Sequence, residues 1–278
     1  MTTILVSLAH LDQVENVINF AAFVASKTQA HVIGYYPIPG PSISVLAYPG
    51  AYVPMDDRIQ KIYEEQAESV RSKFEDRMKR DGINFEWRQQ RMLTSDITKG
   101  VVDHGRECDL IMISQDFPDK SKSNTDIHLS ADIILSAGRP VLVVPSEDGL
   151  ECKLDKIVVG WNASREACRA AFDSLPLLKL ADDVHLTWVN PEKTLGKGQK
   201  LPGAELGAAL ARHDVKVTAT GLNNRSKPGL ALINYARDQK ADLLVMGAYG
   251  HSRLRERILG GATEYVLHHM DRPILLSN

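Results

Sequence analysis

Asp242-Leu243-Leu244-Val245-Met246-Gly247-Ala248-Tyr249-Gly250 is a short apolar run that ends among glycines. A near copy of its first part, Asp109-Leu110-Ile111-Met112-Ile113, lies in the first half of the chain. Apolar runs of this length read as strands buried on both faces, as in a parallel sheet. Downstream, Arg139-Pro140-Val141-Leu142-Val143-Val144 pairs with Arg272-Pro273-Ile274-Leu275-Leu276, and the spacing between the landmarks is the same in both halves. Upstream, Ile4-Leu5-Val6-Ser7-Leu8-Ala9 pairs with Ile157-Val158-Val159-Gly160-Trp161-Asn162. An amphipathic helix follows each of these runs. A second strand comes next and ends near a proline: 32–36 before Pro37, and 184–189 before Pro191.

Each half therefore reads β-α-β-α-β-α-β-α-β, an internal duplication. Strands alternating with helices place the chain in the α/β class. The expected architecture is two tandem Rossmann-like domains, each a five-stranded, mostly parallel sheet with helices on both faces. The polar run Ser146-Glu147-Asp148-Gly149-Leu150-Glu151-Cys152-Lys153 marks the boundary, giving domains of 1–147 and 153–278. So short a linker predicts domains packed together rather than tethered loosely. The middles of the two copies differ, the first having a longer helix at 56–80 whose charges read as a solvated face.

Composition narrows the function. Of 278 residues, 44% are hydrophobic and 24% charged, and the formal charge is −2. That balance gives no electrostatic reason to expect nucleic acid or an anionic membrane as a partner. No apolar stretch approaches the ~20 residues that span a bilayer. The opening residues, Met1-Thr2-Thr3-Ile4, lack a basic region and a cleavage site. Three scattered cysteines, Cys108, Cys152 and Cys168, form no Cys-x-x-Cys pair. Free thiols fit a reducing, cytoplasmic setting.

The most informative stretch is Gly247-Ala248-Tyr249-Gly250, nine residues, then Gly260-Gly261-Ala262-Thr263. It leaves the carboxyl end of a strand, where open parallel sheets bind ligands. Glycines let backbone N–H groups approach a phosphate closely. A helix beginning at Thr263 offers unpaired N–H groups and partial positive charge. Thr263 adds a hydroxyl, and His251 and Arg253 add positive charge between the glycines.

On these residues the second copy resembles a universal stress protein domain. ATP-binding members of that family carry Gly-x-x-Gly, nine residues, then Gly-Ser or Gly-Thr, matched here by Gly247, Gly250 and Gly260. The likeness continues through Leu254, Leu259 and Val266 to the final Arg-Pro strand, and the repeat extends it over the whole chain. The resemblance implies a tandem universal stress protein whose C-terminal domain holds ATP, alone or with Mg. It also implies that Val189 and Met246 flank the adenine. Trp161 is placed either to stack on the base or to pack in the core.

Two positions depart from the family pattern. The aspartate that ends the first strand is Asn162, which keeps hydrogen-bonding capacity but loses the charged acceptor. The serine after the third glycine is Gly261, so Gly260-Gly261-Ala262 carries one hydroxyl fewer. The first copy departs further. Gly247 becomes Ser114, Gly250 Phe117, Gly260 Ile127, Gly261 His128 and Asn162 Ala9. β-Branched Ile127 resists positive φ, and Phe117 fills space a phosphate would need. The first copy is therefore expected to be structural, regulatory, or a binder of something apolar. Its Pro/Gly-rich loop, 37–54, packs over its own domain or covers a pocket.

Other chemistry finds little support. Gly-x-Ser-x-Gly, the P-loop and Gly-x-Gly-x-x-Gly are all absent. His268 and His269 are adjacent on a helix and diverge, which disfavours a metal site with His251 and Asp271. Three functions remain, in this order: a stress-response regulator binding an adenine nucleotide, a slow nucleotide hydrolase using His251 or Asn162, and a nucleotide-free scaffold. In the family, domains pair through the last strand, here 141–144 and 274–276. That implies pairing within the chain, with a homodimer open as well.

Overall fold

The computed structural model describes residues 1–9, 14–40, 57–116, 129–147, 149–191, 203–223, 227–250 and 261–278. The first half runs β1 (Thr3–Ser7), α1 (Val14–Thr28), β2 (His31–Pro39), α2 (Asp57–Arg80), β3 (Phe85–Met92), α3 (Ile97–Gly105), β4 (Leu110–Ser114), α4 (Leu129–Ser136) and β5 (Val141–Val144). The second half runs β6 (Lys156–Gly160), α5 (Arg165–Asp173), α6 (Leu175–Leu178), β7 (Asp183–Val189), α7 (Ala204–Ala211) and β8 (Val217–Leu222). It finishes with α8 (Pro228–Asp238), β9 (Leu243–Gly247), α9 (Ala262–His269) and β10 (Ile274–Ser277).

Among the described residues the strands form one ten-stranded sheet in the order β3-β2-β1-β4-β5-β10-β9-β6-β7-β8. All neighbours are parallel except β5 and β10. The duplication is preserved down to register. Ile4 sits opposite Leu110 as Ile157 sits opposite Leu243. Asp109 and Asp242 play matching roles: Asp109 accepts from the Thr2 and Thr3 N–H groups, and Asp242 from that of Lys156. In both cases an aspartate just before one strand pins the start of its neighbour.

The antiparallel seam places Leu142 directly opposite Leu275. These two residues hold the same position in the two repeats, so the local two-fold relating the halves passes between them. The expected pairing of last strands is thus made within the chain, and it joins two sheets into one.

Two hydrophobic layers cover the sheet, and each crosses the seam. One packs α1, α2, α5, α6 and α7 against alternate strand residues such as Ile4, Val6, Leu142, Val159 and Leu275. The other packs α3, α4, α8 and α9 against the intervening residues, such as Leu5, Val143, Val158 and Ile274. Residues on both faces of the inner strands β1, β4, β5, β6, β9 and β10 are therefore buried, which explains why these strands read as continuous apolar runs, whereas the edge strands β3 and β8 are only partly covered. In α2, Ala67, Val70, Phe74 and Met78 face the core. Its charges form outward pairs such as Arg71–Glu75 and Lys79–Glu75.

One boundary differs from the sequence reading. The second strand does not stop before Pro37 but continues to Pro39. Proline lacks an N–H, so it is tolerated where no partner strand needs that donor. Odd-numbered residues of β2 face β1, as Tyr35 does in accepting the N–H of Leu8. Strand β1 pairs only as far as Tyr35, so Pro37 and Pro39 direct their missing donors beyond its end. Their other edge stays paired with β3 through Met92. The rest of the Pro/Gly-rich loop, 41–54, lies outside the described residues.

Candidate functional site

Parallel pairing brings the carboxyl ends of β6, β7 and β9 to one edge of the second half. Gly160 is in register with Thr187, and the Trp161 N–H donates to the Thr187 carbonyl at 2.8 Å. Asn162 follows and is exposed, while Val189, at the end of β7, is half-buried. The Asn162 Oδ1 accepts the Ser164 N–H at 3.1 Å, closing a local turn. Ala163 within that turn has φ +58°, a left-handed conformation that glycine would adopt more easily. With Oδ1 engaged, the amide NH2 of Asn162 remains to meet a ligand oxygen.

Trp161 is half-buried and packs edge-on to Trp188, with ring centroids 6.5 Å apart. It also borders the core beneath α7. Met246 is placed differently. Its side chain is 5% exposed and belongs to the layer under α8 and α9. It sits against Gly160, where an added Cβ would lie 3.5 Å from the Met246 Cβ.

Gly247 and Gly250 flank the turn after β9. Neither has a positive φ among the described residues. Their smallness matters for a different reason. A Cβ on Gly247 would press on the Ala167 backbone nitrogen and lie 2.6 Å from the Glu166 carbonyl carbon. Gly247 thus lets the first turn of α5 settle onto β9. A Cβ on Gly250 would meet only the tip of the Glu166 side chain, at 2.7 Å from Oε2.

Helix α9 begins beside this turn. The Tyr249 N–H donates to the Thr263 hydroxyl oxygen at 3.2 Å, and Thr263 is only 2% exposed. Thr263, expected from the sequence to face a phosphate, is used to tie the turn to the helix. Gly261 is the N-cap of α9 and makes no side-chain capping bond. Among the described residues no side chain caps the first N–H groups of α9, a favourable arrangement for an anion. By contrast, α5 is capped internally by the Ser164 hydroxyl, which accepts the Ala167 N–H at 3.2 Å. His251, Arg253, Leu254, Leu259 and Gly260 lie outside the described residues.

Three contributors escaped the sequence reading. Gly229, second in α8, allows close contact with α9. A Cβ there would stand 2.7 Å from the Ala262 carbonyl oxygen. The Pro228-Gly229 pair at a helix start was the available signal. Glu166 is the second. It is 6% exposed, and its carboxylate lies along the turn made by Gly247 and Gly250. Burial pushes this carboxyl up, but its own backbone N–H, the adjacent Arg165 and the Ser164 hydroxyl outweigh burial and hold it below the usual range. The third, Thr187, is fully buried with a hydroxyl that finds no partner among the described residues.

The corresponding edge of the first half is built differently. Ser114 stands where Gly247 does and is buried. Gln115 follows, 5% exposed, and its Nε2 donates to the Leu267 carbonyl near the end of α9 at 2.8 Å. Its Oε1 accepts from the Ser146 N–H and hydroxyl. The first half thus supports the second half's helix from behind. Phe117, Ile127 and His128 lie outside the described residues. Among the described residues no group of three metal-binding side chains forms, and no helix is long and apolar enough to cross a membrane. Cys108 is buried, Cys152 half-buried and Cys168 exposed, all as free thiols.

Comparison with known proteins places this arrangement. Residues 153–277 match the Universal stress protein family. Universal stress protein Slr1230 of Synechocystis sp. (strain ATCC 27184 / PCC 6803 / Kazusa) is 31% identical over 154 residues. That match covers 53% of this chain and 51% of the relative, so the chain spans about half the relative's length. The crystal structure of a universal stress protein from Archaeoglobus fulgidus DSM 4304 has the same fold. Its TM-score is 0.74 at 16% identity, over 99% of this chain and 96% of that one. A functionally unknown protein from Pseudomonas aeruginosa PAO1 gives a TM-score of 0.57 at 16% identity, over 100% and 92% of the two chains. Residues 153–277 thus match the universal stress protein family model, and the first half repeats the same strand order across a shared sheet, a tandem arrangement of the fold seen in the Archaeoglobus fulgidus structure.

Proposed function

We propose that this protein is a cytoplasmic stress-response regulator whose second half binds an adenine nucleotide, ATP in the first instance. One observation carries the proposal. Among the described residues the N-terminus of α9 has no side-chain cap, and it lies beside the turn at the end of β9, at the strand edge where parallel sheets bind ligands. In this reading Gly247, Gly250 and Gly260 bring backbone N–H groups to the phosphates. Gly261, Ala262 and Thr263 supply the helix start. His251 and Arg253 add positive charge from the intervening loop. Asn162 donates its amide to the ribose. Val189 and Trp161 border the base, and Met246 supports them from the core.

The asymmetry of the halves supports the same reading. The first half has Gln115 engaged with Leu267 and Ser146 at its corresponding turn, which leaves that turn committed to structure.

The test is calorimetric titration of the full chain with ATP, beside the variant Gly250→Phe, which copies the first half. Gly250→Phe should lose measurable binding. Equal affinity in the two proteins would overturn the site. Mass spectrometry of small molecules that copurify with the protein would identify the nucleotide.

A further inference from the structure

The carboxylate of Glu166 occupies the inner wall of the turn proposed to hold phosphate. Its side chain runs from Gly247, whose added Cβ would lie 2.9 Å from the Glu166 Cβ, to Gly250, whose added Cβ would lie 2.7 Å from Oε2. The glycines that make room for a phosphate are therefore already lined by a negative group.

Despite burial, its own backbone N–H, the Arg165 side chain and the Ser164 hydroxyl hold that group in its charged form, and of these only Arg165 carries a countercharge. Arg165 is an ion-pair partner of Glu166, with Nη2 at 2.9 Å from Oε1, but the Arg165 side chain is 78% exposed and that of Glu166 only 8%. Solvent screens the arginine far more than the carboxylate. A phosphate entering the turn meets a like charge in a water-poor setting, where repulsion is strongest.

Resting on the reading that an adenine nucleotide binds here, we infer that Glu166 makes binding conditional on a divalent cation, held between its carboxylate and the phosphate oxygens. A hard cation such as Mg2+ takes oxygen ligands, is commonly bound through one or two carboxylates together with phosphates, and keeps several waters. The carboxylate then changes from a repelling wall to a ligand. Without the cation it excludes the anion. Glu166 thereby sets the form of nucleotide the site accepts: the cation complex rather than the free polyanion.

The experiment compares the ATP dissociation constant in EDTA with that in excess Mg2+, for the full-length protein and for Glu166→Gln. In the native protein Mg2+ should tighten binding at least about tenfold, the scale of relieving one like-charge contact. In Glu166→Gln the two constants should converge to within about threefold, chiefly because free ATP binds more tightly. The same Mg2+ ratio in both proteins would overturn the inference while leaving the nucleotide site intact. No ATP binding by the native protein in either buffer would remove the nucleotide site, and this inference with it. Thermal melts establish that Glu166→Gln is folded. Should it not fold, Arg165→Ala, on an exposed side chain, gives the opposite test. Loss of the countercharge should widen the Mg2+ ratio, and an unchanged or smaller ratio would overturn the inference.

Discussion

Gln115 in the first half donates a hydrogen bond to the carbonyl of Leu267 in the second, at 2.8 Å and from a nearly buried side chain. One repeat thus completes the hydrogen bonding of the other's site helix. Helix ends leave carbonyls without intrahelical partners, and a buried one without a substitute is costly. Gln115→Ala should lower stability by about 1–3 kcal/mol, the cost of stranding a buried polar group. Urea denaturation gives the magnitude. Amide exchange should rise along α9 and stay unchanged in α3. Uniform exchange across both halves would contradict a specific link to α9.

Gly247 and Gly250 should respond oppositely to alanine. In Gly247→Ala the new Cβ strikes backbone of Glu166 and Ala167, which cannot rotate away. Overpacking of this kind costs about 1–3 kcal/mol. In Gly250→Ala the new Cβ meets the end of a flexible side chain, so stability should change by less than about 0.5 kcal/mol. Paired thermal melts at equal concentration check the contrast, and equal losses would remove it.

Gly229 sets how closely α8 approaches α9. Gly229→Val should push Ala262 outward and displace the start of α9. The expected result is a loss of about 1–3 kcal/mol in stability, by overpacking against fixed backbone. A fall in ATP affinity should accompany it. If affinity is retained at full occupancy of the folded state, the start of α9 does not contribute to binding.

Asp109 predicts part of the acid response. Burial pushes its carboxyl up, but the backbone N–H and hydroxyl of Thr2, with the N–H of Thr3, outweigh burial and lower it. A carboxyl lowered in the folded state stabilises fully above its unfolded value and loses that contribution as pH falls through the folded value. Asp109→Asn should therefore be less stable than the native protein at neutral pH, with the gap closing as pH drops below the normal aspartate range. A gap independent of pH would show that the lost charge is not the cause.

The repeat and the strands were legible in the sequence because they rest on local pattern, while the pairing of last strands was implied by the family resemblance. Continuous apolar runs mean strands buried on both sides, and equal spacing between Asp109–Arg139 and Asp242–Arg272 fixes the same unit twice. The end of β2 was misread because the tolerance for Pro37 depends on where β1 stops, a fact about a neighbouring strand.

Tertiary structure alone decided what surrounds the glycine turn. The sequence identified Gly247 and Gly250 as positions where a side chain is unwelcome. It could not tell that the pressure on Gly247 comes from the backbone of α5, nor that Glu166 lies along both glycines. It could not place Thr263 in the core, Met246 behind the site, or Gln115 beneath α9. Each of these depends on chain segments distant in sequence meeting at one point. Local propensity carries no record of such meetings, because contact and charge act through space and not along the chain.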